Sequence, residues 1–206
     1  GAGIDTITGG TGADTITGGA GADIIDVTAS SDLDTVIVAA GDTELTIVTT
    51  AGSEKVTGFD VLTGFADGTA SVASDNLKIL GGAIETGTVD GTNSTLEAAT
   101  GVVIASHKMT NGVAQFDNDD TWNIGITLAA TDIALAAAVQ YLQATDIGGA
   151  GDLLAFAHNS NMYVYAQGAA DGVDNSLDML VQIPSEASTS VTESNATTAH
   201  LLHVII

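Results

Sequence analysis

The chain of 206 residues has no cysteine and no arginine, a single proline (Pro184) and three lysines, Lys55, Lys78 and Lys108. Each absence excludes something. Without cysteine there is no disulfide framework and no thiolate metal site. Without clustered Lys and Arg, neither the phosphates of nucleic acid nor an anionic membrane surface is a fitting partner. No apolar run approaches the roughly 20 residues of a membrane span, so no membrane insertion is expected. There is no G-x-S-x-G, H-E-x-x-H or Walker sequence. No catalytic constellation is visible, and the chain is not expected to be an enzyme. Against so few cations stand 26 Asp and Glu, for a formal net charge of -23. That surplus suits solubility in a salty medium, or a carboxylate set that cations normally occupy in part. With 45% hydrophobic residues the chain should still be globular.

What is abundant is glycine, 25 residues of it, and much of it is phased. The opening stretch reads "GAGIDTIT", "GGTGADTIT", "GGAGADIID", a G-G-x-G-x-D-x-U-x unit in which U is large and apolar. Asp5, Asp14 and Asp23 recur every ninth residue, and so do Ile7, Ile16 and Ile25. The glycine half suits a tight turn with left-handed backbone angles. The other half is short, β-prone and points one isoleucine inward. Turn, strand, turn, strand winds into a parallel roll. Its stacked turns bring aspartates of neighbouring coils together, where they repel unless a hard cation sits between them. Calcium is the expected ion, with Asp5, Asp14 and Asp23 giving carboxylates and Gly1, Gly3, Gly10, Gly12, Gly19 and Gly21 giving carbonyls. A low-complexity Gly/Thr linker would need no phased isoleucine.

These repeats resemble the RTX (repeats-in-toxin) family of calcium-binding proteins, exported from Gram-negative bacteria by type I secretion. "SSDLDTVIVAAGD" (30–42) looks like its degenerate final repeat, which implies Asp32 and Asp34 as further ligands. "FDVLTGFADGTASVASDNLKIL" (59–80) is similar to its closing segment. There Asp60 and Asp75 match the family's aspartates, and Gly64 stands where a second aspartate is common. Residues 150–183 resemble, in pattern, a strand–turn–strand–loop–strand segment near the carboxyl end of such proteins. The resemblance implies a carboxy-terminal module holding both the calcium roll and an export signal, with calcium and the type I exporter as partners. Since Gly1 begins in mid-repeat, a longer chain is expected upstream.

The expected architecture is mainly β: a β-roll with its closing segment over 1–82, then a β-rich carboxy-terminal domain over 83–206. Residues 81–101 read as loop. β-prone runs flank Asn111-Gly112 as a hairpin. "TWNIGITL" alternates Trp122, Ile124, Ile126 and Leu128 as a half-buried strand. Residues 131–145 form the one good helix, capped by Thr131 or Asp132, with Leu135, Val139 and Leu142 along one face. "DLLAFA" and "MYVYAQ" form a second hairpin, and "DMLVQI" a strand that Pro184 stops. Residues 185–199 read as an extended surface segment. The tail "HLLHVII" reads as an edge strand docked on the core, and as part of an uncleaved export signal while the chain is unfolded.

Other candidate sites are weaker. His107, His158, His200 and His203 read as packing or turn residues. "FDNDDTWN", with Asp117, Asn118, Asp119 and Asp120, reads as a solvated turn rather than a calcium loop. "DGVDNSLD", with Asp171, Asp174 and Asp178, stays open between the two. Two N-x-[ST] sequences, at Asn93 and Asn195, carry no expectation of glycosylation in such a bacterial protein. The leading functional reading is a non-enzymatic calcium-binding module that folds outside the cell, with a structural, self-associating role at the cell surface. The alternative is the export module of a secreted hydrolase or toxin whose catalytic domain lies upstream.

Overall fold

The computed structural model describes residues 1–28, 32–66, 75–79, 84, 89–90, 102–119, 121–145, 151–168, 177–184, 190–193 and 202–205. The nonapeptides make the first strands, β1 (Thr6–Thr8), β2 (Thr15–Thr17) and β3 (Ile24–Asp26), followed by β4 (Thr35–Val38). A hairpin of β5 (Thr46–Val48) and β6 (Lys55–Thr57) intervenes before β7 (Asp60–Thr63) and β8 (Asn76–Ile79). One nonapeptide is half a coil. Consecutive strands therefore belong to opposite sheets, and those that pair are two units apart. β1, β3 and β7 run parallel with Ile7, Ile25 and Leu62 in register. β2, β4 and β8 do the same with Ile16, Val36 and Leu77. Short period-2 strands send one apolar side chain inward each, and the two stacks belong to one hydrophobic core.

Beyond the roll come β9 (Val89–Asp90), β10 (Ser106–Thr110), β11 (Val113–Asp117), α1 (Asp132–Thr145), β12 (Leu153–His158), β13 (Asn161–Ala166), β14 (Met179–Ile183), β15 (Ser190–Glu193) and β16 (Leu202–Ile205). The larger sheet has nine strands in the order β1-β3-β7-β14-β13-β12-β11-β10-β9. β14 thus pairs in parallel with the last roll strand, Val181 opposite Asp60. The smaller sheet runs β15-β16-β8-β4-β2. β12 to β14 are buried on both faces. Leu153, Ala155, Val164 and Val181 join the roll's core, while Leu154, Phe156, Tyr165 and Leu180 join a second core beneath α1. Central strands covered on both sides read as near-continuous apolar runs, as these do.

The mainly β architecture, the two hairpins and the helix stand as the sequence reads, with Thr131 as cap: its hydroxyl accepts the N–H of Ala134 at 3.3 Å. Other readings need correction. Trp122 to Leu128 form no strand; Ile126 alone bridges to Phe116, and Ile124 is 70% exposed. The reason is local, because the N–H groups of Asn123 and Ile124 are taken by the Asp117 carboxylate instead of a ladder. α1 is buried nearly all round, Ala134 and Ala136 to Ala138 included, since β6 packs on it as well as the sheet. The tail strand β16 is not an edge: it lies between β8 and β15. β15 also gives the segment 185–199 a strand, and β9 gives one to the expected loop 81–101. The hairpin β5–β6 has no counterpart in the sequence reading.

Candidate metal centre

The turns between roll strands stack along two edges. On one edge, Gly3 donates its N–H to the carbonyl of Ala20 at 2.6 Å, and Ala20 donates to that of Gly1 at 2.9 Å. Gly21 in turn donates to the carbonyl of Asp42 at 2.6 Å. Gly21 can be nothing but glycine: its φ is 128°, and a Cβ there would overlap the Gly3 carbonyl.

The aspartates of the repeats form two ladders. Each Oδ1 accepts the N–H of the aspartate one coil earlier. Asp5 donates to Asp23 at 2.8 Å and Asp23 to Asp60 at 2.9 Å on one edge. On the other, Asp14 donates to Asp34 at 2.8 Å and Asp34 to Asp75 at 3.0 Å. The nonapeptide, the degenerate repeat and the closing segment are therefore one device. Asp23, Asp34, Asp60 and Asp75 are all buried, and Asp5 is half-exposed. Asp32 is exposed ahead of β4 and takes no place in either ladder.

The second oxygen of the repeat aspartates has a different fate. Oδ2 of Asp14 and Oδ2 of Asp23 are buried and have no hydrogen-bond partner. They lie against the glycine turns; a Cβ on Gly9 would stand 3.1 Å from Asp14 Oδ2, and one on Gly18 would collide with Asp23 Oδ2. A buried carboxylate oxygen left bare costs several kcal/mol unless something neutralises it. Among the described residues no three His, Cys, Asp or Glu side chains converge as a metal cluster, so backbone carbonyls would have to complete a shell. An all-oxygen set of carboxylates and carbonyls suits a hard cation, and calcium most readily, with six to eight flexible ligands. The residues fit the ion.

The ladder ends behave differently. Burial pushes the Asp60 carboxyl up to about 6, with the charges of Asp23 and Asp42 adding to it and the N–H of Asp23 opposing it. Burial likewise raises Asp75, against the N–H groups of Ala66 and Asp34. Asp75 Oδ2 accepts the Ala66 N–H at 2.7 Å, which ties Ala66 to the start of β8. At Gly64, φ is 70° and any Cβ would collide with Thr28, so an aspartate is sterically barred there.

Sequence reasoning missed Asp42. It sits in the third turn of the first edge, its Oδ2 accepting the Ala39 N–H at 2.8 Å. It stands at the turn position of Ala20 rather than at that of a repeat aspartate, so only stacking reveals it. Glu54 was missed too: it is 2% exposed, and neither carboxylate oxygen has a partner.

The other candidates resolve into structural roles. Asp117 is fully buried and accepts N–H groups from Asn118, Asp119, Asn123 and Ile124. Those four bonds hold its carboxyl below the usual range. Asp178 is buried and accepts the Tyr165 hydroxyl at 2.8 Å and the Gly168 N–H at 3.0 Å. His107 Nδ1 lies 2.8 Å from the Tyr141 hydroxyl in the core. Asn93, Asp120, Asp171, Asp174, Asn195 and His200 lie outside the described residues, as does the His203 side chain.

Residues 1–42 match the family model of the RTX calcium-binding nonapeptide repeat in four copies, as many as the three regular units and their degenerate successor. No curated protein and no solved structure matches the chain. RTX nonapeptide repeats bind calcium, are typically non-catalytic and occur in proteins that are generally secreted. No helix among the described residues is long and apolar enough to cross a membrane.

Proposed function

We propose that the chain is the non-enzymatic carboxy-terminal module of an exported protein, folding outside the cell as its roll takes up calcium. The bare, buried Oδ2 atoms of Asp14 and Asp23 carry this reading. Residues 1–82 form the binding roll and its closing segment; residues 83–206 complete its sheet and include the export signal read by a type I exporter. Asp5, Asp14, Asp23, Asp32, Asp34, Asp60 and Asp75 supply carboxylates, and Gly1, Gly3, Gly10, Gly12, Gly19 and Gly21 supply carbonyls. Asp42 joins them on the first edge. When bound, calcium neutralises the stacked carboxylates and cross-links neighbouring turns.

The chain's own residues do the rest. The glycines let successive turns approach closely enough for their carbonyls to share a site. At Asp23 the Oδ1 ladder fixes the carboxylate so that Oδ2 lies against its glycine turn. Where calcium is scarce those oxygens repel and stay hydrated, which favours the unfolded, export-competent chain. Where it is abundant, folding gains RT ln(1 + [Ca]/Kd), about 2.7 kcal/mol at a hundredfold excess over Kd.

A structural role by self-association, in a surface layer, matrix fibre or adhesin, belongs to the same reading. β1 and β2 are the outermost strands of the two sheets at one end of the roll, and Ile4 beside them is 78% exposed. Unpaired strand edges are templates for pairing with a second chain.

Sedimentation velocity tests both parts, once in millimolar calcium and once in excess chelator. Compaction with calcium as a monomer supports the folding module and removes self-association. Calcium-dependent growth into large species supports both. An unchanged profile sinks the calcium reading.

A further inference from the structure

We infer that the carboxy-terminal part carries a second, calcium-independent binding site for a neutral, hydroxyl-rich ligand, a saccharide in chemical class. The site is a groove of about 590 Å³ where β11, the segment 125–128 and the β12–β13 turn meet. That volume lies within the range of small-ligand sites, about 300–1,000 Å³.

Its chemistry is uniform. The polar lining is Thr110, Gln115, Thr127, His158, Asn159 and Ser160, over an apolar floor that includes Phe116 and Ile126. Among the described residues no Asp, Glu or Lys lines it, in a chain whose net charge is -23. An anionic ligand would meet no cation there and an unfavourable field on approach. A cation would meet no carboxylate. Amides and hydroxyls, which both donate and accept, suit a ligand whose groups do likewise. His158 belongs to the wall rather than to the contact set: it is 6% exposed, and its Nε2 lies 2.9 Å from the Ala129 carbonyl and donates to it.

The walls are held in advance. Four N–H bonds to Asp117 fix Asn118, Asp119, Asn123 and Ile124, and the N–H of Ile126 donates to the Phe116 carbonyl at 2.7 Å. Across the groove, Asn159 and Ser160 both hold left-handed angles, φ 51° and 61°, in a tight turn that aims their side chains outward from the strand pair. Close by is Trp122, whose ring edge would lie 3.4 Å from a Cβ on Gly125, a groove residue. An indole this close to a lining residue reports on occupancy of the groove through its emission.

The test uses the full chain in calcium, titrated calorimetrically with maltose, lactose and cellobiose, and with glucuronate as the charged control. Trp122 is the sole tryptophan, so its emission locates the binding. The expected result is saturable heat from at least one neutral disaccharide, a parallel change in emission, and none from glucuronate. At Gly125 a Cβ would meet only ordinary contacts, so Gly125→Val fills the groove without breaking the fold. It should weaken binding at least about tenfold at unchanged melting temperature. Thr127→Lys, from an exposed position, should do the same and covers the case of a misfolded valine variant. The inference is overturned by no heat at concentrations on the order of 10 mM, by heat without change in emission, by equal binding of glucuronate, or by wild-type binding in the folded variants. Because the site lies outside the roll, its failure leaves the calcium reading standing.

Discussion

The backbone N–H of Asp23 donates to Oδ1 of Asp60, 2.9 Å away and 37 residues on in the chain. Asp23 is itself the acceptor for Asp5. Asp23, Asp34, Asp60 and Asp75 are thus clamped from the coil before them, and at Asp23 the other oxygen is left for the turn. A side chain placed this way serves folding and ion binding at once, and substitutions can separate the two.

Asp23→Ala removes the acceptor for Asp5 and one bare oxygen together. A calcium titration followed by circular dichroism should show the folding midpoint shifted to at least about tenfold higher calcium. Asp26→Ala, whose carboxylate serves Thr28 among the described residues, should leave the midpoint in place.

Gly21→Ala should destabilise the calcium-loaded protein by about 2 kcal/mol or more, since it adds a clash with the Gly3 carbonyl to the cost of a left-handed alanine. Thermal melts in calcium measure it; an effect under about 0.5 kcal/mol would mean that the turns are not stacked this closely.

Ile25→Ala and Ile24→Ala distinguish the faces of β3. Ile25 is fully buried between Ile7 and Leu62, while Ile24 is 44% exposed. The first should cost about 2–5 kcal/mol and the second about 0.5. Comparable losses in urea unfolding would contradict the register.

The metal-free protein should lose stability as pH rises from about 4 to about 6. Asp60 has a folded pKa of about 6 against an ordinary value of 3.8, so its contribution is fully present below 3.8 and lost through 6. The loss is on the order of 2 kcal/mol after allowing for screening. Asp26 and Asp117 are lowered, so their stabilisation is lost only as pH falls below the ordinary range, outside this window. Melting in chelator across pH, with Asp60→Asn flattening the slope, checks the assignment.

Glu54→Leu should stabilise the fold by about 1–3 kcal/mol, because it replaces a buried carboxylate without partners by a side chain that needs none. A lower melting temperature in both calcium and chelator would show that the carboxylate has a counterion.

The repeat was legible because it is local: Gly, Asp and Ile recur in phase, and each position has one physical job. Asp60 and Asp75 were legible through the resemblance alone, and the ladder gives them a reason. Asp42 was not, since its place is set by stacking rather than by spacing. The same holds for the join of β14 to β7. No pattern in "DMLVQI" announces a parallel partner in "DVLT", because a strand buried on both faces looks alike whatever lies beside it. Trp122 to Leu128 misled for the opposite reason. The alternation was real, but Asp117 captured the N–H groups that a strand would have used.

The join of Val181 to Asp60 also orders events in time. Until β14 arrives, β7 has an open flank, and the buried setting that raises Asp60 is incomplete. Pairings between segments so far apart in the chain close late, after the intervening loop has been drawn in. A polypeptide threaded through a narrow passage therefore cannot make this pairing while residues 60 and 181 lie on opposite sides. Closure of the nine-stranded sheet waits for both segments to be in one compartment, whichever end leads.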